Sequence, residues 1–163
     1  MKILTDLHTH TLASTHAYST LKENIDAAKA LGLEAIAITD HAPSMEDAPH
    51  IWHFDNLKSI PSVVDGVRIL KGVETNITDL NGTLDMENKS LKNLDIVVAS
   101  IHKPCYKDFG AEDNTTAYLG ALSNPYVDII GHSGYFDILY DFLSCSFVFQ
   151  SFSIRLEKRH KIR

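Results

Sequence analysis

Five residues able to bind a cation, His8, His41, Glu74, His102 and His132, follow one another along this chain at steps of 33, 33, 28 and 30 residues. Each comes just after a short apolar run: Ile3-Leu4, Ala35-Ile36-Ala37-Ile38-Thr39, Val67-Arg68-Ile69-Leu70, Ile96-Val97-Val98-Ala99 and Val127-Asp128-Ile129-Ile130. A strand with its crossover helix and loops occupies about 30 residues, so the spacing predicts five successive parallel strands. Their trailing residues then gather on one rim, where barrels and doubly wound sheets carry their sites.

The first segment runs Asp6-Leu7-His8-Thr9-His10-Thr11 and continues to His16. Side chains two apart on a strand share a face, which lets His8 and His10 converge on one point. A lone His-x-His is a weak signal, and its weight here comes from the repeat behind it. At the third strand the repeat supplies a carboxylate, Glu74, whose two oxygens can each take one cation and lessen the repulsion between them.

Between the strands, Thr20 and Glu23 form a capping box. It opens a helix with Leu21, Ile25, Ala28 and Leu31 on one face and Gly32 as a left-handed stop. The loop after His41 holds Pro43, Pro49, His50, Trp52, His53 and Phe54. It reads equally as a ligand-contacting loop and as a surface loop stapled by its two aromatic rings. A short helix within 55–65, a turn at Asn81-Gly82, a helical connector over Lys89–Asn93 and a helix capped by Asn114 and ended by Pro125 complete the pattern. Gly131 permits close backbone approach beside His132. Asp6 and Asp40 are either supports for neighbouring ligands or solvated strand ends.

The 163 residues suffice for one domain with a core, and 44% hydrophobic with 22% charged residues is ordinary globular composition. Residues 1–154 carry 10 basic against 20 acidic side chains, and the last nine residues have a balance of +4. An acidic body argues against a broad basic nucleic-acid surface. No apolar run approaches the roughly 18 residues of a membrane span, so neither nucleic acid nor membrane is expected as a partner, and a cytoplasmic location is expected by default. Cys105 and Cys145 read as ordinary thiols. Beyond Gly134 the repeat stops, and five of the seven phenylalanines fall within 135–152. This divides the chain into a domain over 1–134 and an atypical tail over 135–163.

The stretches D-L-H-T-H-T at 6–11, S-T-H-A-Y-S-T at 14–20, I-T-D-H at 38–41, M-E-D-A-P-H at 45–50, Glu74, His102 and I-I-G-H at 129–132 together resemble the PHP superfamily, the polymerase and histidinol phosphatase domains. More narrowly they resemble its small stand-alone phosphatases with a trinuclear zinc site. The resemblance implies a distorted (βα)7, TIM-like barrel, here incomplete with about five βα units. It implies zinc, up to three ions, with manganese or iron as alternatives. His8, His10 and Glu74 would hold one ion, Glu74, His102 and His132 a second, and His16 with His41 a third. His8, His10, Glu74, His102 and His132 would be catalytic through the ions they hold, acting on a small phosphorylated substrate.

The family also supplies an Asp-x-His from a late strand, and none follows residue 132 here. A chain missing or replaced after about residue 134 is expected, with an open barrel edge available for self-association. The competing readings are a histidinol phosphate phosphatase and a non-catalytic metal-binding fragment or interaction module. The polymerase-associated domain is disfavoured by the lack of a basic track, and an amidohydrolase by the glutamate at the third strand.

Overall fold

The computed structural model describes residues 3–133, so the tail set apart above and Cys145 lie outside the described residues. Five parallel strands form the sheet in the order β1 (Thr5–Thr9), β2 (Ala35–Ile38), β4 (Val67–Asn76), β5 (Ile96–Ser100) and β6 (Ile129–Gly131). A two-residue strand β3 (Val63–Val64) pairs antiparallel with β4 through a turn at Asp65-Gly66. Chain order equals spatial order along the parallel strands, and the sheet curls into a half-barrel with helices, an incomplete α/β TIM-like barrel.

Helix α1 (Leu21–Ala30) begins as the capping box requires: Glu23 N–H donates to Thr20 Oγ1 at 3.2 Å and Thr20 N–H to Glu23 Oε2 at 2.7 Å. Ile25 and Ala28 are buried against Ile36, Ile38, Val67 and Ile69. Burying a side chain of the size of Ile25 is worth roughly 1.5–3 kcal/mol. Leu31 does not join them. It caps the helix C-terminus and is 74% exposed, while Gly32 takes the left-handed stop at φ +70°.

Helix α2 (Trp52–Asn56) starts earlier than the region expected to be helical and runs into a 3-10 turn over Leu57–Ser59. Pro61 and the β3 hairpin take up the remainder of that region. Of the two aromatic rings only Phe54 staples the loop, since Trp52 is 72% exposed. After a short helix α3 (Asn88–Leu91), helix α4 (Ala111–Ser123) starts at Gly110 rather than at Asn114. Asn114 lies inside the helix, where its side chain accepts from Phe109 N–H and donates to Asp108.

A second apolar cluster joins Val73, Val97, Ala99, Ile101 and Leu91 to Ala117, Tyr118 and Ala121 of α4. Because strand side chains alternate faces, putting Val73, Val97 and Ala99 under the helices turns Glu74 and Ser100 to the other face. The packing of the helices therefore decides which residues line the interior of the half-barrel.

Candidate metal centre

Glu74 lies in the middle of the sheet, bridged to His41 on one side and paired with Val98 on the other, and is 0% exposed. Five imidazoles surround its carboxylate. The Nε2 atoms of His8, His10 and His41 stand 3.1, 3.3 and 3.1 Å from Oε2. Those of His102 and His132 stand 3.4 and 3.1 Å from Oε1.

Each imidazole arrives by a local cause. Three residue steps on β1 oppose two on β2 between Asp6 and Thr9, a bulge of the kind that bends a strand and re-aims its side chains. It leaves His8 Nε2 3.2 Å from His10 Nε2. Asn24 of α1 donates to the His10 carbonyl at 2.8 Å. His132 follows β6 at φ +50°, a left-handed conformation costly for a non-glycine residue, and Tyr118 OH donates to its carbonyl at 3.2 Å. Gly131 must lack a side chain, because a Cβ there would fall 2.3 Å from Ser100 Oγ and 3.4 Å from Glu74 Oε1.

His16, on the β1–α1 loop, stands apart from Glu74 but beside His41, with ring centroids 4.9 Å apart. Both donate Nδ1 contacts to one carboxylate, Asp47, at 3.0 Å for His41 and in a short contact for His16. Asp47 lies within the quoted M-E-D-A-P-H stretch, yet the spacing argument does not reach it. Among the described residues three groups thus hold ligand-type atoms within 4.8 Å of one another: His8, Glu74 and His132; His10, His41 and Glu74; His16, His41 and Asp47.

The electrostatics follow from this crowding. Burial opposes a charge on Glu74, but the imidazoles of His10, His102, His41 and His8 outweigh it and hold the carboxyl far below its usual range. Burial also lowers the pKa of His41, and Glu74 and Asp47 more than reverse this, so it lies above the ordinary imidazole value. His132 goes the other way, its pKa lowered first by burial and then by its histidine neighbours, against the pull of Glu74.

Donor atoms arranged this way suit divalent cations. Glu74 Oε2 is buried and makes no hydrogen bond among the described residues, although three Nε2 atoms stand around it. Separations of 3.1–3.4 Å match the edge, about 3.3 Å, of a tetrahedron whose corners lie about 2.0–2.1 Å from its centre, the distance of zinc–nitrogen bonds.

The PHP-domain family model matches residues 6–150. This chain belongs to the PHP-domain family. Among curated relatives of this PHP chain, a probable phosphatase of Thermoanaerobacter sp. strain X514 is 53% identical over 135 residues, covering 82% of the chain and 55% of the relative. A probable phosphatase of Acetivibrio thermocellus is 53% identical over 134 residues, covering 82% and 56%. One of Clostridium novyi strain NT is 50% identical over 134 residues, covering 82% and 55%. The chain spans about half the length of the curated relatives it matches.

Within this PHP domain two aspartates separate in role. Asp6 is exposed and, among the described residues, accepts only from His8 N–H at 3.3 Å. Asp40 is buried and accepts from Thr11 N–H at 2.7 Å, Thr11 Oγ1 at 2.8 Å and Ser14 Oγ at 2.9 Å, and His53 Nε2 stands 3.2 Å away as an ion-pair partner out of hydrogen-bond geometry. Ser14 Oγ in turn accepts from His41 N–H at 2.9 Å. Asp40 therefore ties the β1–α1 loop to the backbone that carries His41. Of the loop after β2, His50 packs edge-on against Trp52 with ring centroids 4.9 Å apart. On the loop after β5, burial and then the charges of Asp85 and Asp47 push the Cys105 thiol up to about 11. Among the described residues no helix is long and apolar enough to cross a membrane.

Proposed function

We propose that this chain is a metal-dependent phosphoesterase acting on small phosphate monoesters. The metal ligands are His8, His10, His16, His41, Glu74, His102 and His132, joined by Asp47. Zinc is the expected ion, with manganese or iron as alternatives.

The observation that carries the reading is the division of labour at Glu74: one carboxylate oxygen faces His8, His10 and His41, and the other faces His102 and His132. A buried carboxylate so divided suits two neighbouring cations, and the pair His16–His41 with Asp47 offers a third position. When bound, the ions would supply Lewis-acid charge to the phosphoryl oxygens and to the attacking water. The chain's own contribution is orientation. Ser100 fixes Oε1 of Glu74, Asp40 fixes the loop from Thr11 to Ser14, and the rim loops keep the imidazoles facing inward.

The test is metal content by mass spectrometry together with hydrolysis of p-nitrophenyl phosphate by chelator-treated protein reloaded with zinc or manganese. Turnover that requires the added ion supports the reading, and absence of bound metal sinks it. A second reading is metal binding without catalysis, for which the three groups of ligand-type atoms suffice by themselves. Bound metal with no turnover on a panel including histidinol phosphate would favour it.

A further inference from the structure

Asn76 ends β4 two residues beyond Glu74 and is fully buried. Its carboxamide has an acceptor on one side and donors on the other, and both sides are engaged. Nδ2 donates to Asp85 Oδ2 at 2.6 Å and to the Ala42 carbonyl at 3.3 Å, and Oδ1 lies 2.7 Å from His102 Nδ1. Ala42 and Asp85 present only acceptor oxygens here. Turning the amide over would set Oδ1 against two oxygens in a buried space, at a cost of several lost interactions. Oδ1 must therefore accept from His102, which puts the proton of a neutral His102 on Nδ1.

Asp85 is itself held in place. Its Oδ1 accepts from Asn76 N–H at 2.8 Å, and Oδ2 also accepts from Ser44 N–H at 2.9 Å. Among the described residues no hydrogen bond or ion pair joins Asp85 directly to the seven histidine and glutamate ligands, and its link to His102 runs through Asn76. The carboxylate joins the end of β4, the loop after β2 and, by way of the amide, the loop after β5.

We infer that Asp85 and Asn76 form a positioning relay that locks His102 in its Nδ1–H tautomer and so keeps Nε2, 3.4 Å from Glu74 Oε1, free to bind a divalent cation. The inference rests on the metal-binding reading above for its consequence, but the tautomer can be observed without any metal. Partners of this kind behind a metal-binding histidine change affinity by about 10- to 100-fold when removed.

The experiment uses the whole chain, stripped of metal and labelled with 15N at histidine, at about pH 9, where imidazoles are neutral. Long-range 1H–15N correlation reads the tautomer of His102, identified by the signal lost in His102→Gln, and calorimetry reads zinc affinity. Wild type is expected as Nδ1–H. Asp85→Asn is expected to shift the tautomer toward Nε2–H and to weaken zinc binding about 10- to 100-fold. An Nε2–H wild type, or Asp85→Asn with tautomer and affinity unchanged, would overturn the relay. Should Asp85→Asn fail to fold, the wild-type tautomer still decides. A wild type that is Nδ1–H yet takes up no zinc would overturn the metal reading while upholding the relay.

Discussion

Ser100 donates its hydroxyl to Glu74 Oε1 at 2.6 Å, and both side chains are fully buried. This bond fixes the carboxylate plane between the two histidine sets, and Gly131 leaves room for it. Ser100→Ala is expected to cost about 1–3 kcal/mol and to weaken zinc binding about tenfold. Gly131→Ala is expected to cost about 1–3 kcal/mol through overpacking. Urea denaturation and calorimetry check both, and a Gly131→Ala protein as stable as wild type would contradict the packing argument.

A second expectation concerns His41, whose pKa Glu74 and Asp47 hold above the usual imidazole value against the effect of burial. A raised folded value means that its stabilisation is fully present below the unfolded value, about 6.5, and is lost as pH climbs through the folded one. In metal-free protein the stability gap between wild type and His41→Gln should therefore shrink as pH rises. Zinc displaces the same proton, so zinc affinity should rise over that range. Melting curves and calorimetry at several pH values test this, and a zinc affinity that does not vary with pH would count against it.

Asp40 gives the opposite sign. Burial works to raise its pKa, but His53, Thr11 and Ser14 prevail and hold it below the usual carboxylate range. Its contribution is present above the unfolded value, about 3.9, and fades as pH falls through the folded one. Asp40→Asn sets an amide N–H against the donors it meets and is expected to cost about 1–3 kcal/mol at neutral pH. The loss should diminish in acid. Urea titrations across the acid range would expose the error if the loss stayed constant.

Among the described residues Asp47 belongs to one of the three candidate groups, that of exposed His16 and buried His41. Asp47→Ala is expected to release one ion per chain and to leave those at Glu74 in place. Elemental analysis reads the count, and loss of every ion would show that the three positions are not separate in the way the contacts suggest.

The five parallel strands, α1 and the Asn81-Gly82 turn were legible because their signals are local: β-branched runs, a capping box, and a glycine that takes φ +76°. The convergence of five histidines on Glu74 was legible because repeat length fixes which ends share a rim. Asp47, Asn76 and Asp85 were not. Each is a single polar residue in or beside a loop, and its partner depends on how the loop closes over several residues or several tens of residues. Asp40 reads the same as Asp6 in the sequence, the one directly before a histidine and the other two residues before one, and only packing separates the buried one from the solvated one. Asn114 looked like a cap because its residue type favours one, but its buried contact with Asp108 prevailed.

The most direct measurement is zinc uptake by the metal-free chain, set beside uptake by Glu74→Gln, which keeps the shape and removes the charge. The account predicts at least two zinc ions per chain in wild type and the loss of those shared through this carboxylate in the variant. Wild type taking up none, or the variant binding as many as tightly, would contradict it.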